Sequence, residues 1–148
     1  MGVDISASAL KLAEENARLN DLSGISFIHD NVFDRLDMLA RSGERFGLVV
    51  LDPPKFARTR QAVQEALRGH RRLHTRALHL LEPDGILVTC CCSGLVSRKD
   101  FEKMLVDVAI QSRRHIRILE ARGAAPDHPI SPFCPENDYL KCYICSVE

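Results

Sequence analysis

FGLVVLDPPKF, residues 46–56, and ILVTCCCSGL, residues 86–95, are the two stretches whose reading decides the fold. Each opens as a continuous apolar run, the pattern of a parallel strand buried on both faces rather than one. Each then stops at residues that suit a strand poorly: Asp52-Pro53-Pro54 in the first, Ser93-Gly94 in the second. Proline lacks the N–H that a ladder needs, and glycine has no side chain to pack on a sheet. Between the two runs, residues 60–81 place Val63, Leu67, His70, His74, Ala77 and Leu81 on one helical stripe. Arg68, Arg71, Arg72 and Arg76 lie largely on the other side, and Pro83-Asp84-Gly85 is expected to end the helix. The unit is strand, helix, strand, with reactive groups just past both strand ends, where open α/β sheets bind ligands.

Working outward, the alternation of strand and helix continues without a repeat or a low-complexity segment. Gly2 to Ile5 reads as the end of a strand, and Ser6 as the N-cap of a helix through Leu19 that stops at Asn20. Ile25 to Ile28 is expected to be a short strand and Val32 to Ala40 a helix. A helix over Ser97 to Arg113 has a well-specified start, because Ser97 and Asp100 resemble a capping box and Val96 and Phe101 stand at the positions of a hydrophobic staple. His115 to Ala121 and Tyr139 to Val147 are the last strands. The Pro-rich segment between them holds no crossover helix, so they are expected to be antiparallel neighbours in a mixed, Rossmann-like sheet.

The chain has 148 residues, with twenty basic and twenty acidic residues that cancel. That balance hides a local patch, because residues 55–76 carry seven Lys/Arg against one Asp/Glu. Such a block suits a phosphate backbone, although a solvated helix face has the same composition. No apolar stretch approaches the roughly 18 residues of a membrane span and the first residues lack the features of a signal peptide, so a cytoplasmic protein is expected. Three of the six cysteines are consecutive. Reduced thiols therefore fit better than a disulfide framework. Cys142 and Cys145 have C-x2-C spacing, but a separation of three along a strand puts them on opposite faces, and no metal site is expected.

Asp4 follows the first strand, a position from which a carboxylate can accept both hydroxyls of a nucleoside ribose, with Ile5 beside it. Asp30 ends the next strand, with Asn31 as a helix cap, and can accept the exocyclic amino group of an adenine. Either acid alone also reads as a capping residue; the pair favours an adenosine-type cofactor. In Asp52 to Phe56 a rigid double-proline turn offers the Asp52 carboxylate and the Pro53 carbonyl to the edge of a flat base, and Phe56 offers a ring for stacking. Carbon 5 of cytosine is a weak nucleophile until a thiolate adds to carbon 6, which calls for a cysteine at the strand end. Cys92 is best placed, whereas Cys90 and Cys91 read as small buried hydrophobes within the strand. A free thiol is only a few per cent ionised at neutral pH. Positive potential from the turn amides, Lys55 or Arg58 is the expected source of activation.

The segments Gly2 to Ser6, Asp30 to Phe33, Asp52 to Phe56, Thr89 to Leu95, Asp127-His128-Pro129 and Tyr139-Leu140-Lys141 together resemble the catalytic domain of the bacterial large-subunit ribosomal RNA cytosine-5 methyltransferase I family. The resemblance covers essentially the whole chain. It implies S-adenosylmethionine as cofactor, held by Asp4 and Asp30, with Asp52 and Pro53 facing the target cytosine and Cys92 as nucleophile. It implies RNA, ribosomal RNA in particular, as partner; the ring of Phe56 and the basic side chains of Lys55, Arg58, Arg68, Arg71 and Arg72, read from the sequence, are the candidate substrate-binding residues. It gives Asp127 and His128 no role that physical argument can assign. Family members also carry an N-terminal RNA-binding region and then a strand with a Gly-rich loop, and neither is found in residues 1–148.

The expected fold is thus a single α/β domain, a Rossmann-like class I methyltransferase sheet lacking its first strand and Gly-rich loop. The absent strand would lie between those ending at Asp4 and Asp52. Its absence leaves unpaired edges, for which self-association is expected over direct pairing, with impaired cofactor binding and activity. Two other readings remain: an amino-group methyltransferase of the adenine N6 type, which needs no thiol, and a non-catalytic interaction module.

Overall fold

A computed structural model describes all residues, 1–148. The chain forms two compact units, residues 1–44 and 45–148. In the first, β1 (Gly2–Asp4) pairs in parallel with β2 (Phe27–His29), joined by α1 (Ala7–Leu19) and followed by α2 (Val32–Ser42). Ser6 caps α1 by accepting from the Ala9 amide at 3.3 Å, and Asn31 caps α2 by accepting from Phe33 at 2.9 Å. β2 begins two residues later than the apolar pattern suggests. α2 runs two residues further than expected, to Ser42, and is ended by Gly43 with its left-handed φ of 79°.

The second unit is a four-stranded sheet in the order β3-β4-β6-β5 with two helices. Its elements are β3 (Phe46–Leu51), α3 (Val63–Leu78), β4 (Leu81–Cys91), α4 (Arg98–Ser112), β5 (Ile116–Arg122) and β6 (Lys141–Val147). β3 and β4 are parallel, whereas β6 runs antiparallel to both β4 and β5. The mixed sheet and the antiparallel final pair agree with the sequence pattern. β1 and β3 each have one partner strand, within separate sheets.

Three expectations are corrected. The helix anticipated over residues 60–81 is a 3-10 turn at Arg60–Ala62 followed by α3, which ends at Leu78. Its buried stripe is Ala66, His70, Leu73, His74, Ala77 and Leu78, so Val63 and Leu67 stand on its margin and Leu81 belongs to β4. Pro83-Asp84-Gly85 does not separate helix from strand. β4 already pairs at Leu81 with Phe46 and resumes at Ile86 with Leu48, and the residues between bulge out around Asp84 at φ 60°. Finally, β3 is not buried on both faces. Leu48 and Val50 are 56% and 58% exposed, because β3 is an edge strand and α3 and α4 cover only one face of its sheet.

The covered face is well defined. Thr89, Tyr143, Cys145, Leu87 and Val147 are buried beneath Leu73, Phe101, Met104, Leu105 and Val108. Phe101 stacks on Tyr143 at 6.0 Å, and the Tyr143 hydroxyl donates to Glu102 at 2.8 Å. Ser97 caps α4 as expected by accepting from the Asp100 amide at 3.0 Å, with Val96 and Phe101 buried on either side of the start. Two histidines lie inside. His74 donates through Nδ1 to the His70 carbonyl and accepts through Nε2 from Thr89, both at 2.6 Å. Burial lowers both His70 and His74 to about 4, for His70 with help from the Lys141 charge.

Candidate active site

In the first unit, Asp4 and Asp30 stand at the carboxyl ends of adjacent parallel strands, and the Asp30 amide donates to the Asp4 carbonyl at 3.1 Å. One Asp4 oxygen accepts from the Ser6 amide at 2.7 Å. A carboxylate has about four acceptor positions, so Asp4 retains capacity for a diol. Asp30 is more engaged: it accepts from Asn31 N–H at 2.8 Å and pairs with Arg35 at 2.9 Å. Ile5 is exposed beside Asp4, and its carbonyl accepts from His29 at 2.8 Å.

In the second unit, the carboxyl ends of β3 and β4 lie side by side, Leu51 opposite Thr89. Asp52 and Cys92 therefore leave the sheet at the same end, and both act electrostatically on Cys90. Cys92 and Lys55 line one cleft of about 630 Å³, completed by Gly94, Leu95, Pro135, Glu136, Asp138 and Tyr139. The two motif loops are tied together where Ser93 Oγ donates to the Ala57 carbonyl at 3.3 Å. Lys141, 4% exposed, donates to the carbonyls of Ser93 at 2.5 Å and Val96 at 2.7 Å, fixing the Cys92 loop from the start of β6.

Several expected site residues sit differently. Phe56 turns inward, edge-on to buried His70 at 4.8 Å, so its ring is already packed. Arg71 is bound to Asp107 at 2.6 Å, while Arg58, Arg68 and Arg72 are exposed. Cys91 is buried as expected, but Cys90 is half-exposed on the other face of the sheet. Cys142 and Cys145 alternate between faces, and no group of three His, Cys, Asp or Glu side chains is arranged to hold a metal. His128 is within 3.1 Å of the Tyr139 hydroxyl and so supports a wall of the Cys92 cleft. The sequence assigns no site role to residues 135–139 or to Lys141; the only signal for one is the Tyr139-Leu140-Lys141 run among the motifs that carry the resemblance. No helix is long and apolar enough to cross a membrane.

A family profile described as a methyltransferase domain matches residues 1–123, across both units. The chain belongs to this methyltransferase family. It is 40% identical to the ribosomal RNA large subunit methyltransferase I of Serratia proteamaculans (strain 568), over 99% of this chain and 38% of that protein. Identity to the protein of the same name from Salmonella arizonae is 39%, over 99% of this chain and 37% of the relative. The chain thus spans less than two-fifths of the length of these relatives. A structure of SMU.776, a methyltransferase complexed with SAH, matches with a TM-score of 0.83 at 18% identity, over 97% of this chain and 38% of that one. That likeness establishes the fold as the class I methyltransferase type.

Proposed function

We propose that this chain is the catalytic portion of an S-adenosylmethionine-dependent methyltransferase acting on carbon 5 of a cytosine in RNA, with Cys92 as nucleophile. The observation that carries the reading is the shared cleft of Cys92 and Lys55 at the strand ends where Asp52 also emerges. S-adenosylmethionine, when bound, supplies an electrophilic methyl group. Asp4 is suited to its ribose hydroxyls, and Asp30 to its adenine through whatever acceptor capacity Arg35 and Asn31 leave. RNA, ribosomal RNA by relationship, is the substrate, and exposed Arg58, Arg68 and Arg72 are suited to its phosphates.

The chain's own chemistry then follows. The Asp52 carboxylate and Pro53 carbonyl orient the base by its amino edge. Cys92 thiolate adds to carbon 6, which makes carbon 5 nucleophilic enough to accept the methyl group. Water in the open cleft takes the proton from carbon 5, the electrons of that bond form the carbon 5–carbon 6 double bond, and sulfur leaves carbon 6 as the thiolate, which restores the aromatic base. Lys55, which lines the same cleft, is suited to balance the negative charge of the adduct.

The test is trapping with RNA that contains 5-fluorocytosine, in which carbon 5 has no proton to lose. A covalent protein–RNA adduct mapped to Cys92 and abolished by Cys92→Ala is expected. An adduct or methylation that survives Cys92→Ala would exclude the thiol mechanism and favour amino-group transfer. Titration calorimetry with S-adenosylmethionine, expected to give the same affinity with and without the Cys92→Ala change, separates loss of chemistry from loss of the cofactor site.

A further inference from the structure

Cys90 and Cys142 stand directly opposite one another in the antiparallel β4–β6 ladder. Opposed residues in such a ladder have Cα atoms about 4.5 or 5.5 Å apart, and both spacings fall within the roughly 4.4–6.8 Å that a disulfide spans. Their side chains share the sheet face that α3 and α4 leave open, and both residues are half-exposed. Cys91 and Cys145 point to the opposite, covered face and are buried. We propose that Cys90 and Cys142 are a redox-active pair that closes to a cross-strand disulfide by exchange with a small disulfide of the glutathione class.

Partial burial above all pushes the Cys90 thiol up to about 12. The thiolate of either cysteine attacks glutathione disulfide, forms a mixed disulfide and releases one glutathione thiolate. The other cysteine then loses its proton and attacks the protein sulfur of the mixed disulfide, and the second glutathione leaves as thiolate. The two protons from the protein thiols end on the two glutathiones; the protein pair is oxidised by two electrons and one glutathione disulfide is reduced. The new bond would cross-link β4 to β6 two residues before Cys92.

The full chain, incubated with oxidised glutathione at about pH 8 and freed of excess reagent, is assayed for thiols after denaturation. Free thiols should fall from six to four, two being consumed, and return with dithiothreitol. Non-reducing tryptic mapping should join peptide 77–98 to peptide 142–148, with fragmentation placing the link at Cys90 and Cys142. The link should persist in Cys91→Ser, Cys92→Ser and Cys145→Ser. In Cys90→Ser or Cys142→Ser it should vanish, leaving the remaining partner as a glutathione adduct. Six thiols remaining, glutathione adducts alone in the unsubstituted protein, or a link through Cys92 or Cys145 would overturn the proposal, and the map of the unsubstituted protein decides this even if a variant misfolds.

Discussion

Lys141 Nζ lies 2.5 Å from the carbonyl oxygen of Ser93, forty-eight residues earlier in the chain, so the first residue of β6 holds the loop that carries Cys92. With the second bond to Val96, this buried ammonium supplies donors to two loop carbonyls, of which that of Ser93 also accepts from the Val96 amide at 3.3 Å. Lys141→Met keeps the stem and removes both donors. At ~1.5–3 kcal/mol for a hydrogen bond to a charged group, less the relief of burying no charge, a loss of roughly 2–4 kcal/mol is expected. Urea unfolding measures it. Iodoacetamide should also alkylate Cys92 faster in the variant under native conditions, and an unchanged rate would mean that the loop holds its shape without the lysine.

His70 and His74 make the fold sensitive to acid. Both fall from 6.5 to about 4 in the folded protein. Between those values the unfolded chain binds more protons, so stability is full above about pH 6.5, declines as pH falls towards 4, and is level below it for these two groups. Each histidine accounts for at most roughly 3–4 kcal/mol, at ~1.36 kcal/mol per pKa unit over the fall from 6.5 to about 4. Thermal melts from pH 7.5 to 4 should show the decline. His74→Gln, which retains a donor and an acceptor near the His70 carbonyl and Thr89, should flatten the profile at some cost in stability at neutral pH.

Arg114 donates to five main-chain carbonyls: Leu78, Leu81, Glu82, Val147 and Glu148, at 3.0–3.2 Å. One guanidinium thereby joins the end of α3, the start of β4 and the end of β6. Arg114→Met should cost about 2–3 kcal/mol, limited by the water that reaches the outer carbonyls. Arg114→Lys should recover only part, because an ammonium has three donors against five in a planar fork. Hydrogen exchange should localise the loosening to these three chain ends.

Gly69 lies inside α3, where glycine is a poor choice on conformational grounds. A Cβ there would meet the Phe56 ring at 3.5 Å, an ordinary contact. Gly69→Ala should therefore stabilise the protein by about 0.5–1 kcal/mol through reduced chain entropy. A fall in melting temperature would show that Phe56 cannot accept the methyl group.

The parts legible in the sequence were those written locally. Caps at Ser6, Asn31 and Ser97 bond within three residues of themselves, and the strand-end motifs at Asp52 and Cys92 are contiguous. What escaped depends on distant partners. Val49 and Val50 are the same residue type, yet one face of β3 meets helices and the other does not, and hydropathy carries no information about which. Phe56 reads as a stacking ring until His70 is seen beneath it. Lys141 looks like an ordinary residue at the start of a strand until Ser93 and Val96 close around its ammonium.

The position of β6 between β4 and β5 also bears on how the molecule is made. During synthesis β3 and β4 emerge together with α3, but β5 has no strand to join until residues 141–147 have left the ribosome. Two parallel strands and their helix are a marginal structure. Two of the sheet's three strand pairings therefore close in one late step, and until then the ribosome carries a nascent chain with Leu87, Thr89 and Ile118 still waiting for Cys145 and Tyr143.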